Sequence, residues 1–315
     1  MVDGVRGIRV LDGEEANKYL QIINIFHNVA QKYDFSFIKI PTIEKDELFT
    51  RTVGENTDIV TKQMFSFPDK KGRNLVLRPE GTAGVVRHHL DKKYNEVKKY
   101  YYSDQMFRYE RPQKGRYREF HQVGAEIIGY ENNSILDIFT IIQLSNDFLE
   151  NCIPTNIKYS FEINSIGTNE DRKIYNQELN EYFKQNIDNL SDDSINRLDK
   201  NPLRILDSKD TNDITISRNA PKLSEFRSKE SNKKFNELIQ MLKDSKISYS
   251  ENPFLVRGLD YYNDFTFEIV PENSKGSQDA LGGGGQYDNL SKLLGGKDNN
   301  GVGVAFGVDR IMELS

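Results

Sequence analysis

The chain has 315 residues, enough to bury a large core in one big domain with an insertion or in two domains. Lys and Arg number 43 against 48 Asp and Glu, a formal net charge of -5, so no global basic field marks a nucleic-acid binder and any polyanion has to be met locally. The composition, 37% hydrophobic and 29% charged, with no long apolar run and no signal-peptide layout, reads as a soluble globular protein without a membrane span.

Cys152 is the single cysteine, which excludes an internal disulfide and a cysteine zinc cluster and implies cytoplasmic or organelle-matrix residence. In chain order, Tyr19, Ile23, Phe26, Val29, Ala30 and Tyr33 predict an amphipathic helix over Glu14 to Tyr33. A strand is predicted from Phe35 to Ile40, stopping at Pro41. In Leu75-Val-Leu-Arg-Pro-Glu-Gly-Thr, Pro79 is suited to open a helix that Thr82 to Leu90 continues. Glu80 and Thr82 then stand at a strand-to-helix junction, either as a favourable helix N-terminus or as ligand-holding groups on a rigid frame. Val97 to Tyr102 predicts a strand whose tyrosine run serves packing.

Met106 to Gly129 predicts a β-hairpin turning at Pro112 to Gly115. In its second strand Phe120, Gln122, Gly124 and Glu126 share a polar face suited to a wet ligand pocket, while His121, Val123, Ala125 and Ile127 share a mostly core face. Arg108, Arg111, Arg116 and Arg118 add cationic forks that match phosphate or carboxylate oxygens. Ser134 and Asp137 form a capping signature for a helix with an Ile135, Ile138, Ile141, Ile142, Leu149 stripe. From about Asn164 to Ser250 glycines thin out and short helical patterns such as Phe235, Leu238, Leu242 predict a mostly helical insertion.

Chemistry returns at Leu255-Val-Arg-Gly-Leu-Asp-Tyr-Tyr, before a strand predicted to bury only the face of Phe265, Phe267 and Ile269. The glycines of Ala280-Leu-Gly-Gly-Gly-Gly-Gln-Tyr-Asp allow close backbone approach to a ligand. In Gly301-Val-Gly-Val-Ala-Phe-Gly-Val-Asp-Arg, Val302, Val304, Phe306 and Val308 fall on one face. Gly301, Gly303, Ala305 and Gly307 leave the other almost bare for a planar ligand.

The run Phe107-Arg-Tyr-Glu-Arg-Pro-Gln-Lys-Gly-Arg-Tyr-Arg-Glu-Phe-His-Gln resembles motif 2 of class II aminoacyl-tRNA synthetases, in the form found in the histidyl-tRNA synthetase family. Leu-Arg-Pro-Glu-Gly-Thr, Arg257-Gly-Leu-Asp-Tyr-Tyr, the glycine run and the closing segment resemble, in turn, that family's histidine-binding segment, its signature, its Gly-Gly-Arg-Tyr-Asp segment and class II motif 3. Gln286 stands where the family usually has arginine, and Asp309 where it usually has glutamate. The resemblance implies an α+β fold of the class II synthetase type, an antiparallel sheet flanked by helices with a mostly helical insertion. It divides the chain into a catalytic core at 1–163, the insertion at 164–250 and a second core part at 251–315, ending before an anticodon-binding domain.

The implied activity is a histidine-tRNA ligase, a cytoplasmic homodimer that joins L-histidine and ATP and passes histidine to the acceptor end of tRNA(His). By resemblance Arg108 and Arg257 are catalytic; Glu80, Thr82, Gln122, Glu126, Tyr262 and Tyr287 bind histidine. Glu110, Arg116, Phe120 and Arg310 join Arg108 on ATP, whose β- and γ-phosphates Mg²⁺ bridges, with no protein metal ligand assigned. The alternative is a non-catalytic histidine-sensing regulatory subunit of an ATP phosphoribosyltransferase, which would not need cations around an α-phosphate.

Overall fold

The computed structural model describes every residue except 1, 56, 95, 131–134, 200, 207, 209, 256, 257, 273–278 and 315. In chain order the elements are α1 (Gly13–Lys32), β1 (Ser36–Phe37), β2 (Ile43–Lys45), α2 (Asp46–Val53), β3 (Phe65–Pro68), β4 (Asn74–Leu77), α3 (Thr82–Lys92), β5 (Lys98–Phe107), β6 (Glu119–Tyr130) and α4 (Ile135–Cys152). They continue as β7 (Tyr159–Ser165), α5 (Asn169–Gln185), α6 (Asp192–Leu198), α7 (Thr211–Ser217), α8 (Lys229–Asp244), β8 (Tyr249–Glu251), β9 (Asn263–Pro271), β10 (Gly282–Gln286), α9 (Leu290–Leu293), β11 (Asn300–Gly307) and α10 (Val308–Met312). The chain divides into two compact units, one of residues 1–160, 259–261 and 268–315 and one of residues 161–258 and 262–267.

In the first unit the strands run β1-β5-β6-β11-β10 and continue into the last residues of β9. The pairs β5–β6, β6–β11 and β10–β11 are antiparallel, whereas β1 at the edge lies parallel to β5. Helices α1 and α4 pack on one another and on this sheet, burying Phe26, Ile141, Ile142 and Phe148. The two helices build the core because their apolar residues recur every three to four positions. Helix α1 stops where Asp34 takes a φ of 62° and Phe35 N donates back to Ala30 O at 3.0 Å. A second, three-stranded sheet runs β2-β4-β3, and Leu48, Phe49, Val53, Ile59, Val76 and Ala83 form a buried cluster beside it.

In the second unit the polar helices take their caps from their own sequence, which suits a segment with little apolar surface. Thr168 and Asp171 form a reciprocal capping box on α5, while Ser191, Asp210 and Ser228 cap α6, α7 and α8. The buried Asp213 carboxylate ties three serines together, accepting from the hydroxyls of Ser191, Ser194 and Ser208, each at 2.6 Å.

Three local expectations give way. The strand foreseen at Phe35 to Ile40 is only Ser36–Phe37, because Ile38 N turns to Tyr101 O as a single bond and the chain then leaves the ladder for Pro41. The helix foreseen from Pro79 begins at Thr82, since Glu80 caps it with its side chain. Strand β9 is buried on both faces from Asn263 to Val270, not on one, so Thr266 and Glu268 are inside with the apolar residues. The Ser134 cap lies outside the described residues.

Candidate active site

Antiparallel register decides which side chains meet, because directly opposed residues project on the same side of a sheet. Across β5, β6, β11 and β10 one row reads Tyr100, Glu126, Gly303, Gly285, and the next reads Tyr102, Gly124, Ala305, Gly283. These rows make a floor of small residues with one carboxylate in it. Part of that floor is already covered. A Cβ at Gly303 would overlap Glu126 Oε2, one at Gly301 would overlap the Tyr287 ring, and Gly81 and Gly124 both press on the buried Tyr102 ring. The face of Gly301 and Gly303 foreseen as bare is therefore the seat of Tyr287 and Glu126, and the open part begins at Ala305 and Gly307.

Glu126 is fully buried; its Oε1 accepts from Thr82 Oγ1 at 2.7 Å and its Oε2 from the Tyr287 hydroxyl at 2.5 Å. Burial pushes its carboxyl up to about 8 against the pull of those two bonds, and the neighbouring Glu80 charge pushes the same way. Glu80 is buried as well, accepting from Thr82 N at 2.7 Å and Ala83 N at 3.0 Å. Burial raises its carboxyl too, opposed by those N–H groups and by Arg108. Glu80 at the strand-to-helix junction and Glu126 on β6 are thus two carboxyl groups held away from water, joined through Thr82. Tyr261 joins them, reaching Glu80 Oε2 at 3.4 Å and lying edge-on to Tyr287 with centroids 5.8 Å apart. On the same face of β6, Gln122 Oε1 is a buried acceptor with no hydrogen-bond partner among the described residues.

The cationic side comes from the hairpin. Its turn sits at Gln113–Arg116, where a bridge closes over Gly115 at a φ of 68°. Arg108 at the end of β5 donates from Nε to Pro79 O at 2.9 Å, and its guanidinium lies 5.3 Å from the Phe120 ring centroid. Arg116 lies 3.7 Å from Glu110. Arg310, at the start of α10, donates to Ala280 O. Burial depresses its guanidinium first, and the positive charges of Arg116 and Arg108 add to this while Glu110 and Glu268 oppose it. Cations from β5, the hairpin loop and α10 therefore crowd into one field, which suits a polyphosphate.

Within the first unit the structure brings together Glu80, Thr82, Arg108, Glu110, Arg116, Phe120, Gln122, Glu126, Tyr287 and Arg310. Arg257 lies outside the described residues. Tyr262 belongs to the second unit, where its carbonyl accepts from Arg172 Nη1 at 2.9 Å. Sequence reasoning missed Tyr261. The signal available was the tandem tyrosine itself, since alternation cannot say which of two neighbours in a turn faces a site. Tyr102 packs, as its tyrosine run was read to do, and Gly81 and Gly124 serve as clearance for its ring, a role the sequence did not show. Asp309 was noted only as a departure from pattern, yet it is buried and bonded on both oxygens, to Arg9 and to His121 N.

A family profile described as "Histidyl-tRNA synthetase" matches residues 7–311. A histidine–tRNA ligase of Campylobacter hominis is 41% identical over 317 residues, covering 100% of this chain and 76% of that protein. One of Dictyoglomus thermophilum is 43% identical over 312 residues, covering 98% and 74%. Among solved structures, apo histidyl-tRNA synthetase of S. aureus superposes with a TM-score of 0.79 at 31% identity, covering 100% of this chain and 73% of that one.

Proposed function

The chain belongs to the histidyl-tRNA synthetase family, and from that premise we propose that it is a class II histidine-tRNA ligase whose described first unit carries the adenylate-forming site. The histidine carboxylate attacks the α-phosphorus of ATP, forming an O–P bond as the bond to the β-phosphate oxygen breaks and pyrophosphate leaves with its electrons. A terminal ribose hydroxyl of tRNA(His) then attacks the activated carbonyl, and AMP departs.

The first step needs no general base, because a carboxylate with a pKa near 3.5 is already anionic at neutral pH. Its difficulty is bringing two anions together, so positioned cations dominate. Arg108 is assigned to the α-phosphate, Arg116 and Arg310 to the outer phosphates, and Phe120 to adenine. The observation that carries the reading is Glu126 bonded to both Thr82 and Tyr287, with Gln122 Oε1, which has no partner among the described residues, further along the same face of β6, which also bears Phe120. Acceptors buried this way are costly unless a ligand N–H completes them, and an ammonium or an imidazole N–H does so. An apolar amino acid of similar size leaves them unpaired and is rejected.

Mg²⁺ belongs to the same reading, neutralising charge on the outer phosphates. No group of three or more His, Cys, Asp or Glu among the described residues could hold a metal alone. Mg²⁺ that comes with a nucleotide takes one or two carboxylates besides the phosphates, and Glu110, 3.7 Å from Arg116, is the candidate. Cytoplasmic residence and a homodimer are part of the proposal; no helix among the described residues is long and apolar enough to cross a membrane, and exposed Leu20 and Phe37 offer apolar surface for a second copy.

The test is ATP–pyrophosphate exchange without tRNA, run with each amino acid in turn. Exchange that depends on histidine alone is the expected result. Histidine binding without exchange would instead favour the sensing subunit.

A further inference from the structure

The residues ahead of α1 have no part in the roles above, yet they are bonded to the hairpin loop. Gly7 O accepts from Arg118 N at 2.7 Å and from Glu119 N at 3.4 Å, and Arg118 Nη1 donates to Arg6 O at 3.4 Å. Gly7 has a φ of +84°, and a Cβ there would come within 2.8 Å of Pro112 Cγ and 3.0 Å of Arg118 Cγ. Only glycine lets backbone lie this close to the loop at that φ.

Two residues on, Arg9 makes the stronger link. Its Nη2 donates to Asp309 Oδ1 at 2.7 Å, and its guanidinium stacks 4.1 Å above the Tyr117 ring. Asp309 accepts from His121 N at 2.7 Å on its other oxygen, and the His121 ring packs on Tyr19 of α1 with centroids 4.7 Å apart. The Asp309 side chain is 3% exposed and that of Arg9 23%, so this is a largely desolvated, charge-assisted bond and not a surface pair. Burial pushes the Asp309 carboxyl up, but the His121 and Arg9 bonds outweigh it and leave the group below the usual carboxylate range. The companion contact from Arg9 to Glu15, at 3.3 Å with Glu15 56% exposed, contributes little.

Arg9 therefore touches the neighbours of two groups assigned to phosphate. Tyr117 follows Arg116 in the loop, and Asp309 precedes Arg310 at the start of α10. Those two cations repel, which is part of why the Arg310 guanidinium is depressed. Something has to hold them in one field when no polyphosphate is there to do so. Resting on the adenylate-forming reading, we propose that Arg9 is a positioning residue for ATP, clamping the hairpin loop that carries Arg116 to the helix start that carries Arg310. A lysine there would keep the charge on Asp309 but lose the planar stacking on Tyr117.

The test compares wild type, Arg9→Ala and Arg9→Lys in three readouts: KM for ATP and for histidine in pyrophosphate exchange, trypsin cleavage at Lys114, Arg116 and Arg118, and Tm. Arg9→Ala is expected to raise the KM for ATP about 10-fold, the scale of one charge-assisted bond, to leave the KM for histidine within about twofold, and to speed cleavage in the loop. Arg9→Lys is expected to recover part of both effects. Unchanged ATP KM and loop cleavage in Arg9→Ala would overturn the clamp. So would a fall in kcat and Tm with the ATP KM unmoved, which is what a purely structural residue gives. Should wild type show no exchange, the assigned reaction fails, and loop cleavage alone then decides the clamp: faster in Arg9→Ala supports it, equal rejects it.

Discussion

A fully buried carboxyl group gives up its proton late, and Glu126 does so at about 8 even against the pull of its bonds from Tyr287 and Thr82. In the unfolded chain the group ionises at its ordinary value of 4.5, so between there and about 8 the folded protein holds the extra proton. Its contribution to stability is full below the lower value and is lost as pH rises through the upper one. Glu126→Gln removes that loss, and its Tm is expected to gain on wild type as pH goes from 5 to 8.5. An ammonium placed against Glu126 favours the carboxylate, so histidine binding near pH 7 is expected to release a proton, read as a buffer-dependent enthalpy in calorimetry. The same variant loses a hydrogen bond to a charged group, about 1.5–3 kcal/mol or roughly 10- to 150-fold in histidine affinity. Affinity within twofold of wild type and no proton release would take Glu126 out of the pocket. That Glu126 faces a ligand was legible from the alternation of Phe120, Gln122, Gly124 and Glu126. Its pairing with Tyr287 was not, because that contact spans 161 residues and depends on β11 lying between β6 and β10.

Strand β11 shows what such an element requires. Gly303 sits opposite Glu126 on one side and Gly285 on the other, and any side chain there would collide with the glutamate. Gly303→Ala is expected to cost about 1–3 kcal/mol of stability, the usual penalty for overpacking, and to displace Glu126 from Tyr287, weakening histidine binding. Gly4→Ala is the control, since nothing lies within 4 Å of a Cβ at that position, and a change within about 0.5 kcal/mol is expected. Denaturant titration with histidine calorimetry reads both; an unaltered Gly303→Ala would mean the floor tolerates side chains. The paired small residues of β10 and β11 were visible in the sequence as a face without bulk, but periodicity alone cannot say whether such a face is covered by protein or left for a ligand. Long-range side chains decide it, Tyr287 and Glu126 filling one end and leaving Ala305 and Gly307 at the other.

At the scale of the molecule, the class of fold was legible through resemblance, because the Phe107–Gln122 run and Arg257-Gly-Leu-Asp-Tyr-Tyr carry the family's motifs, and the helices and strands read from periodicity are compatible with a layer of helices on a sheet. The strand order was not, since neither hydrophobic period nor turn chemistry tells a sheet which non-consecutive strands to pair. The edge of that sheet carries the last consequence. Strand β1 pairs only on one side, Phe37 on it is 54% exposed while its ring meets Tyr101 at 5.4 Å, and Leu20 on α1 is exposed too. An edge strand with exposed apolar side chains is a site for pairing with another chain unless something covers it. If the cover is a second copy, the protein sediments at about twice its 36.4 kDa. Phe37→Asp would then sediment as a monomer, because a carboxylate buried at the contact is costly, while half-exposed Phe37 leaves the isolated fold little to lose. Sedimentation velocity with circular dichroism separates the two effects. A wild type at 36.4 kDa would remove the homodimer, and a dimer that survives Phe37→Asp would move the interface away from β1.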